Sequence, residues 1–202
     1  AMILATVIGI LAGMFSAVWR RSWIDSLVRI ISLLGLSMPV FWSGLLLIII
    51  FGLWLNWLPT GGTDGLRHLI LPAITLAFPS LGMIARTARS SILEVLEADY
   101  VRTARAKGLS ETVVLVKHVL KNSMIPVVTL LGLQAGLLLG GAVLTETVFA
   151  WPGIGRLAFD STFARDYPVV TGVFIFVSIS TVLANLIVDL MYAWLDPRVS
   201  HR

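Results

Sequence analysis

Five long apolar stretches, separated by polar segments, dominate the pattern of the chain. Each is long enough to cross about 30 Å of hydrocarbon, which takes roughly 20 helical residues. A helix satisfies its own backbone hydrogen bonds, so it is a stable way for such a stretch to cross lipid. The pattern predicts an all-α, polytopic transmembrane helical bundle. Its predicted spans, about five in number, are residues 1–19, 28–53, 69–90, 124–146 and 168–192.

Prolines fall inside these stretches or at their ends, at Pro39, Pro72, Pro79 and Pro126. A transmembrane helix tolerates proline where neighbouring helices satisfy the backbone carbonyl that proline leaves without a donor. We therefore interpret each stretch as a single span, including residues 28–53.

Charge between the stretches predicts the orientation of the bundle. Basic residues concentrate after the first stretch, in the connection at 92–122 and its flanks, and in the tail, whereas the opposite side carries Arg67, Arg156 and Arg165. Because basic residues favour the cytoplasmic side, the first group is expected to be cytoplasmic and the loop at 147–167 to lie outside. Six of the seven tryptophans fall at the predicted inner and outer ends of the stretches, the membrane boundaries that this residue favours, and Trp42 falls inside a span. The six are Trp19, Trp23 and Trp194 at the inner ends, and Trp54, Trp57 and Trp151 at the outer ends.

Composition supports a membrane protein. Hydrophobic residues make up 57% of the chain and charged residues 13%, against about 45–50% and about 25% in soluble domains. The net charge of +4 is then explained by the cytoplasmic bias, and we expect no nucleic-acid partner. The sequence has no cysteine, which excludes disulfides and thiolate metal sites.

This orientation places the amino terminus outside, and the first residues show neither a basic leader nor a small-residue cleavage site. We therefore expect no signal peptide, and a further span upstream that is missing from this chain.

Small residues recur every fourth position in two of the predicted spans. Such a stripe lets helix backbones approach closely in lipid, although glycine is also common in membrane helices generally. We favour packing, either within the chain or with a second subunit. The positions are Ala5, Gly9, Gly13 and Ala17, and Gly132, Gly136 and Gly140.

The polar connection at 92–122 predicts two helices joined by a sharp turn. From Ile92 an amphipathic helix is expected, since apolar positions recur at spacings of three and four, at Leu93, Leu96, Tyr100 and Ala104. Gly108 is suited to the left-handed conformation that ends a helix, and Ser110 to capping the next one. The residues leave two possibilities open: docking into a groove of a partner, or lying on anionic headgroups.

The segment EADYVRTARAKGLSETVVLVKHVLKNSMIP at 97–126 resembles the cytoplasmic signature loop of type I ABC importer permeases. It is most similar to the branch that imports dipeptides, oligopeptides, nickel chelates and glutathione. The resemblance continues through SMPVFWSGLLLI, ETVFAWPGIGRLAFDSTFARDYPVV and LDPRV, and so covers nearly the whole chain. Three positions depart from the general pattern of the family: Arg102 stands where a glutamate is usual, His118 where an isoleucine is usual, and Lys121 where a proline is usual.

The resemblance implies a permease subunit that works by alternating access in the cytoplasmic (inner) membrane of a prokaryote. Its implied partners are two ABC ATPase subunits, a second homologous permease and an extracytoplasmic substrate-binding protein. ATP would be used by the partner subunits, and no cofactor is expected on this chain. The loop would be the coupling helix that docks on an ATPase, a role we assign to Tyr100, Arg102, Thr103, Ala104, Ala106, Gly108 and Leu109.

Other chemistry is sparse in the sequence. There is no phosphate-cradling G-x4-G-K-[ST] motif, no set of residues suggests catalysis, and the isolated His68, His118 and His201 predict no metal site. Gln134 is a candidate for the translocation pathway, with an interhelical hydrogen bond as the alternative. An ion-coupled secondary transporter is the alternative function, although ionisable residues near the membrane midplane are not evident.

Overall fold

The computed structural model describes residues 1–139 and 142–195, and all regular elements in this part are helical, which confirms the all-α prediction. The packing prediction at Gly140, together with His201 and the basic tail, lies outside the described residues. The first half contains α1 (Met2–Val18), α2 (Trp23–Ser37), α3 (Val40–Leu47) with a π-helical continuation (Ile48–Trp54), and α4 (Ile70–Leu96) after a 3₁₀ turn (Leu66–Leu69). The second half contains α5 (Asp99–Ala106), α6 (Glu111–Val113), a π-helical segment (Val114–Leu120), α7 (Lys121–Leu139), α8 (Val143–Val148), α9 (Ile154–Phe163) and α10 (Tyr167–Leu195).

Within residues 1–139 and 142–195, three helical runs are long and apolar enough to cross a membrane: Leu66–Leu96, Glu111–Leu138 and Tyr167–Ile187. A fourth candidate is the pair Trp23–Ser37 and Val40–Trp54, if the two are counted as one span. The remaining apolar helix, α1, has 17 residues. Each of the five apolar stretches thus contains helix, and in the described residues three helical runs, or four with the bent pair, have the length and composition of a span.

The predicted span at 28–53 is not one straight helix, because the chain bends by 112° between α2 and α3. The bend follows from Pro39, which precedes α3 and has no N–H to donate back into α2. Steric conflict with its ring also pushes the preceding residue out of the helical region. Met38 accordingly has the extended angles φ −85° and ψ 131°. Pro79 and Pro126, in contrast, remain inside α4 and α7 as predicted.

The small-residue stripe of α1 packs inside the chain. Its four members are buried and face α4. A Cβ atom added to Gly13 would lie 2.6 Å from the carbonyl oxygen of Ala85 and 2.7 Å from the Cβ of Ala88. At Gly9, the added atom would lie 2.8 Å from Ile84 Cγ2. This close backbone approach confirms the predicted packing of the first stripe, as an internal contact.

Substituting Gly13→Ala is therefore expected to destabilise the bundle by about 1–3 kcal/mol, because one methyl group must be forced into a filled contact. Gly136→Ala is the matched control. Gly136 faces α10, and its added Cβ would make ordinary contacts of 3.6 Å with Thr181 and 3.7 Å with Asn185. Thermal unfolding in detergent checks the pair, and equal losses in the two variants would contradict the packing of α1 on α4.

The connection after α4 differs from the predicted single helix that starts at Ile92. Helix α4 continues to Leu96, and Ala98 then takes extended angles (φ −71°, ψ 145°) before α5 begins at Asp99. The predicted second cytoplasmic helix is also wrong as a separate element, because α6, the π segment and α7 form one run from Glu111. Ser110 lies at its N-cap, although its side chain accepts no hydrogen bond there.

The π segment Val114–Leu120 follows α6 near the start of this run. Its hydrogen bonds join residues five apart rather than four, which widens the helix locally. Val114 and Val119, five positions apart, are both fully buried. This segment therefore offers one apolar face to the base of α5, α4 and α1 with a spacing that an α-helix does not have.

Candidate functional site: the exposed α5 helix and its supports

Helix α5 projects from one end of the bundle, which we call the basic end because it carries Arg20, Arg89, Arg102 and Arg105. The inner side of α5 is apolar. Val101 is fully buried and Ala104 is 5% exposed, in a cluster with residues of α1, α4 and the π segment. Two small apolar side chains thus fix α5 to its base, which leaves the remainder of the helix outside.

Six of the seven residues predicted to contact a partner are exposed on α5 and the following turn: Tyr100, Arg102, Thr103, Ala106, Gly108 and Leu109. The seventh, Ala104, is buried, so it anchors the helix instead of presenting a docking surface. Tyr100 was predicted to lie on the apolar face, but it is 43% exposed and its hydroxyl accepts a hydrogen bond from Asn122 Nδ2 at 2.9 Å. Val101 takes the buried position, because the break at Ala98 changes the phase of the helix.

The turn after α5 has the predicted conformation. Gly108 has φ +81°, in the left-handed region that glycine adopts at little cost. Its N–H donates to the carbonyl of Arg105 at 2.9 Å. Across the same turn the Arg105 guanidinium binds the Glu111 carboxylate through two hydrogen bonds of 2.8 and 3.3 Å. This pair was not predicted, although a basic residue at the end of one helix facing an acidic residue at the start of the next is a readable signal.

A buried ion pair supports the base of α5. Arg89 of α4 binds Asp25 of α2 through Nε at 2.7 Å and through Nη2 at 2.9 Å. The Asp25 side chain is 2% exposed, and it also accepts from Ser16 Oγ of α1 at 2.6 Å and from the backbone N–H of Arg21 at 3.0 Å. One carboxylate thus joins α1, α2 and α4.

The carboxylate of Asp25 is fully hydrogen-bonded, which offsets the cost of removing it from water. Nearer the surface, Arg20 binds Glu97, directly before the break at Ala98, at 3.1 Å. Both contacts hold the end of α4 to the end of α1 and the start of α2. Together they give α5 a rigid base on that side.

Gln134 contacts α4 through two side-chain interactions. Its Oε1 accepts from Ser80 Oγ at 3.4 Å, and its Nε2 lies 3.2 Å from Met83 Sδ. These contacts match the interhelical alternative stated for this residue. On the same helix Gly132 is buried, and Gly136 faces α10.

The segment at the opposite end, predicted as a loop at 147–167, folds around Glu146. The Glu146 carboxylate accepts the backbone N–H of Arg156 at 2.7 Å, in the first turn of α9, where a negative charge is favoured. Phe149 is 1% exposed, and its carbonyl accepts from Gly62 N–H at 3.1 Å. The segment is thus a fixed part of this end, with α9 packed on α8 and α10.

In the part of the chain that the structure describes, no three His, Asp or Glu side chains lie close enough together to hold a metal ion. His68 and His118 lie on different elements, the 3₁₀ turn and the π segment. The features of the site are an exposed helix, a glycine turn and the ion pairs at the base of the helix.

Comparison with known proteins gives a matching family and similar permease proteins. The profile of the family described as "Binding-protein-dependent transport system inner membrane component" matches residues 9–201. The glutathione transport system permease proteins GsiC of Escherichia coli K12 and of Shigella dysenteriae serotype 1 are each 48% identical to the chain over all 202 residues. The chain spans 66% of the length of these relatives.

The fold also matches a solved structure. The MetNI methionine ABC transporter, in an inward-facing conformation, superposes with a TM-score of 0.76 at 16% sequence identity. The match covers 96% of this chain and 89% of the other chain. It shows that the arrangement of helices described above is one that a transporter subunit adopts.

Proposed function

Because the chain belongs to the family of inner membrane components of binding-protein-dependent transport systems, we propose that it is a permease subunit of an ATP-driven importer. The observation that carries this proposal is the exposed face of α5, presented by a glycine turn at the basic end of the bundle. The basic end faces the cytoplasm, as the distribution of Lys and Arg favours. There α5 is the coupling helix that docks on an ATPase subunit.

The proposed mechanism is alternating access driven by partner subunits. Two ATPase subunits bind ATP and close, which moves the α5 helices of this chain and of a second homologous permease. The bundle opens outward to accept substrate from an extracytoplasmic binding protein, and hydrolysis resets it inward. Tyr100, Arg102, Thr103 and Leu109 form the docking face, while Val101 and Ala104 transmit its movement to α4 and the π segment. No covalent step takes place on this chain.

The proposed substrates are peptides or a related small solute, such as glutathione or a nickel chelate. The 48% identity to permeases named for glutathione transport supports this class. The segment held by Glu146 lies at the outer end, where the binding protein delivers substrate. Gln134, whose side chain contacts α4 from α7, stays a proposed pathway residue.

The second candidate function is an ion-coupled secondary transporter. One observation favours it, because a buried carboxylate such as Asp25 is the kind of group that proton-coupled carriers use. In this chain Asp25 is held by Arg89, Ser16 and a backbone N–H, so an ATP-driven mechanism fits better. Uptake that survives an inactivated ATPase subunit but stops when the proton gradient is collapsed would favour the second candidate.

The docking proposal is tested by crosslinking from single cysteines, since the chain has none of its own. Thr103→Cys, on the exposed side of α5, is expected to crosslink to an ATPase subunit in membranes that contain the whole transporter. Ala104→Cys is the matched control, because Ala104 lies next to Thr103 but is buried, so a cysteine there should give little crosslinked product. A Thr103→Cys variant that never captures a nucleotide-binding protein, or that reacts from the outer side, would refute the assignment.

A further inference from the structure

A groove of about 390 Å³ opens between α2 and α4 near the basic end. The polar groups that line it are three guanidinium groups and two hydroxyls, and guanidinium groups only donate hydrogen bonds. The lining residues are Arg29, Leu33, Arg86, Thr87, Arg89 and Ser90. The groove is therefore built to hold an acceptor that carries negative charge.

The protein itself neutralises only part of this charge. Asp25 is the carboxylate beside the groove, and it is engaged by Arg89, with Arg29 Nε at the longer distance of 3.6 Å. Arg86 has no carboxylate within 4.0 Å among the described residues. Three guanidinium groups against one carboxylate leave a net charge of about +2 on this part of the surface.

The groove changes from cationic to apolar along its depth. Arg29 and Leu33 lie one turn apart on the same face of α2, and Leu33 is further from the basic end and 53% exposed. Ile30 and Leu34 beside them are 56% and 48% exposed. An anion held at the arginines would thus have exposed apolar surface directly beneath it, towards the centre of the membrane.

The level of the arginines also corresponds to the headgroup region. Trp23, at the start of α2, is 74% exposed and marks the membrane boundary. Asp25 follows it by two residues and binds Arg89, which places the Arg89 guanidinium near the same level. In the orientation proposed above, this is the inner leaflet, whose anionic lipids attract basic groups.

From these observations we propose that the groove binds the phosphate headgroup of an anionic phospholipid, with an acyl chain lying along Leu33 and its apolar neighbours on α2. Basic pockets between transmembrane helices on the cytoplasmic side are suited to such headgroups. A small soluble anion would use the arginines but would gain nothing from the apolar surface below them. The proposal depends on the orientation of the bundle, and does not depend on the substrate or on α5 as a coupling helix.

The proposal is tested by thermal unfolding of the purified transporter complex in a neutral detergent, with phosphatidylglycerol, phosphatidylcholine or inorganic phosphate added separately. Phosphatidylglycerol is expected to raise the unfolding midpoint, whereas phosphatidylcholine and inorganic phosphate leave it nearly unchanged. Arg86 is exposed and has no carboxylate partner in the described part of the chain. The substitution Arg86→Gln is expected to weaken the binding of phosphatidylglycerol, and so its stabilising effect, roughly five-fold. Lys117→Gln is the control, since this lysine is exposed at the basic end but outside the groove.

Native mass spectrometry of the same variants counts the phosphatidylglycerol molecules that stay bound to each folded complex. This measurement distinguishes a loss of lipid binding from a loss of stability. Equal stabilisation by phosphatidylcholine would overturn the proposal, as would an equal loss in Lys117→Gln. Protection by inorganic phosphate alone would show a small-anion site instead of a lipid site. A change of subunit stoichiometry in Arg86→Gln would show that the groove contacts a second permease, which also overturns it.

Discussion

Gly108→Val is expected to reduce ATP-driven uptake at least ten-fold while the permease remains inserted in the membrane. Gly108 has φ +81°, and a β-branched residue adopts this region only with strain. An added Cβ at this position meets nothing within 4 Å, so the cost comes from the backbone and not from a clash. The turn must open, and the exposed face of α5 then changes its direction relative to α7. Uptake into proteoliposomes, together with co-purification of the ATPase subunits, measures the effect.

Gly108→Asn is the matched control, because asparagine tolerates the left-handed region better than other side chains. It should retain most of the uptake. Similar losses in both variants would show that a side chain at this position is harmful for another reason, such as contact with a partner. Normal uptake and normal ATPase recovery in Gly108→Val would count against the role of the turn.

Asp25→Ala is expected to lower the stability of the permease by about 3–5 kcal/mol, since it leaves Arg89 largely buried without its partner. The side chain of Arg89 is 22% exposed and that of Asp25 is 2% exposed. The substitution also removes the acceptor for Ser16 and for the Arg21 N–H. Thermal unfolding in detergent should show a large fall in the midpoint, and expression of intact permease should fall with it.

Asp99→Ala is the control for the same chemical change at the surface. The side chain of Asp99 is 99% exposed and lies 3.8 Å from Arg102, a contact that contributes little in water. The double variant Asp25→Leu/Arg89→Met should recover much of the lost stability, because replacing both members of a buried pair by apolar residues is often nearly neutral. If the double variant is no more stable than Asp25→Ala, the loss is not caused by an unpaired arginine.

Local features of the fold could be predicted because their causes are local. A stretch of apolar residues predicts a helix whatever surrounds it, and a glycine at the end of an amphipathic pattern predicts a left-handed turn, as at Gly108. The first small-residue stripe was also readable, since its period alone defines a smooth helix face. The effect of each proline on its helix could not be predicted from the sequence. Pro39 ends a helix and Pro79 does not, a difference that depends on the neighbouring helices.

The supports of the site were missed because they join distant parts of the chain. Asp25 and Arg89 are separated by 64 positions, and no spacing rule connects them. One signal was present, because a carboxylate at the edge of an apolar stretch needs a partner and is seldom left alone. Within α5 the break at Ala98 changed which residues face inward, so the spacing from Leu93 and Leu96 gave the wrong register for Tyr100.

The π segment Val114–Leu120, near the start of the long run to α7, holds one residue more per turn without changing the direction of its buried face. In an α-helix each residue turns the chain by about 100°, so positions five apart point about 140° away from each other. Val114 and Val119 nevertheless share a buried face. The wider π turn places them on one face, and after deletion of one residue between them a regular α-helix would do the same, because residues four apart differ by only about 40°. A one-residue deletion here is thus expected to leave the direction of α5 nearly unchanged, whereas the same deletion in the regular part of α7 would rotate everything before it by about 100°.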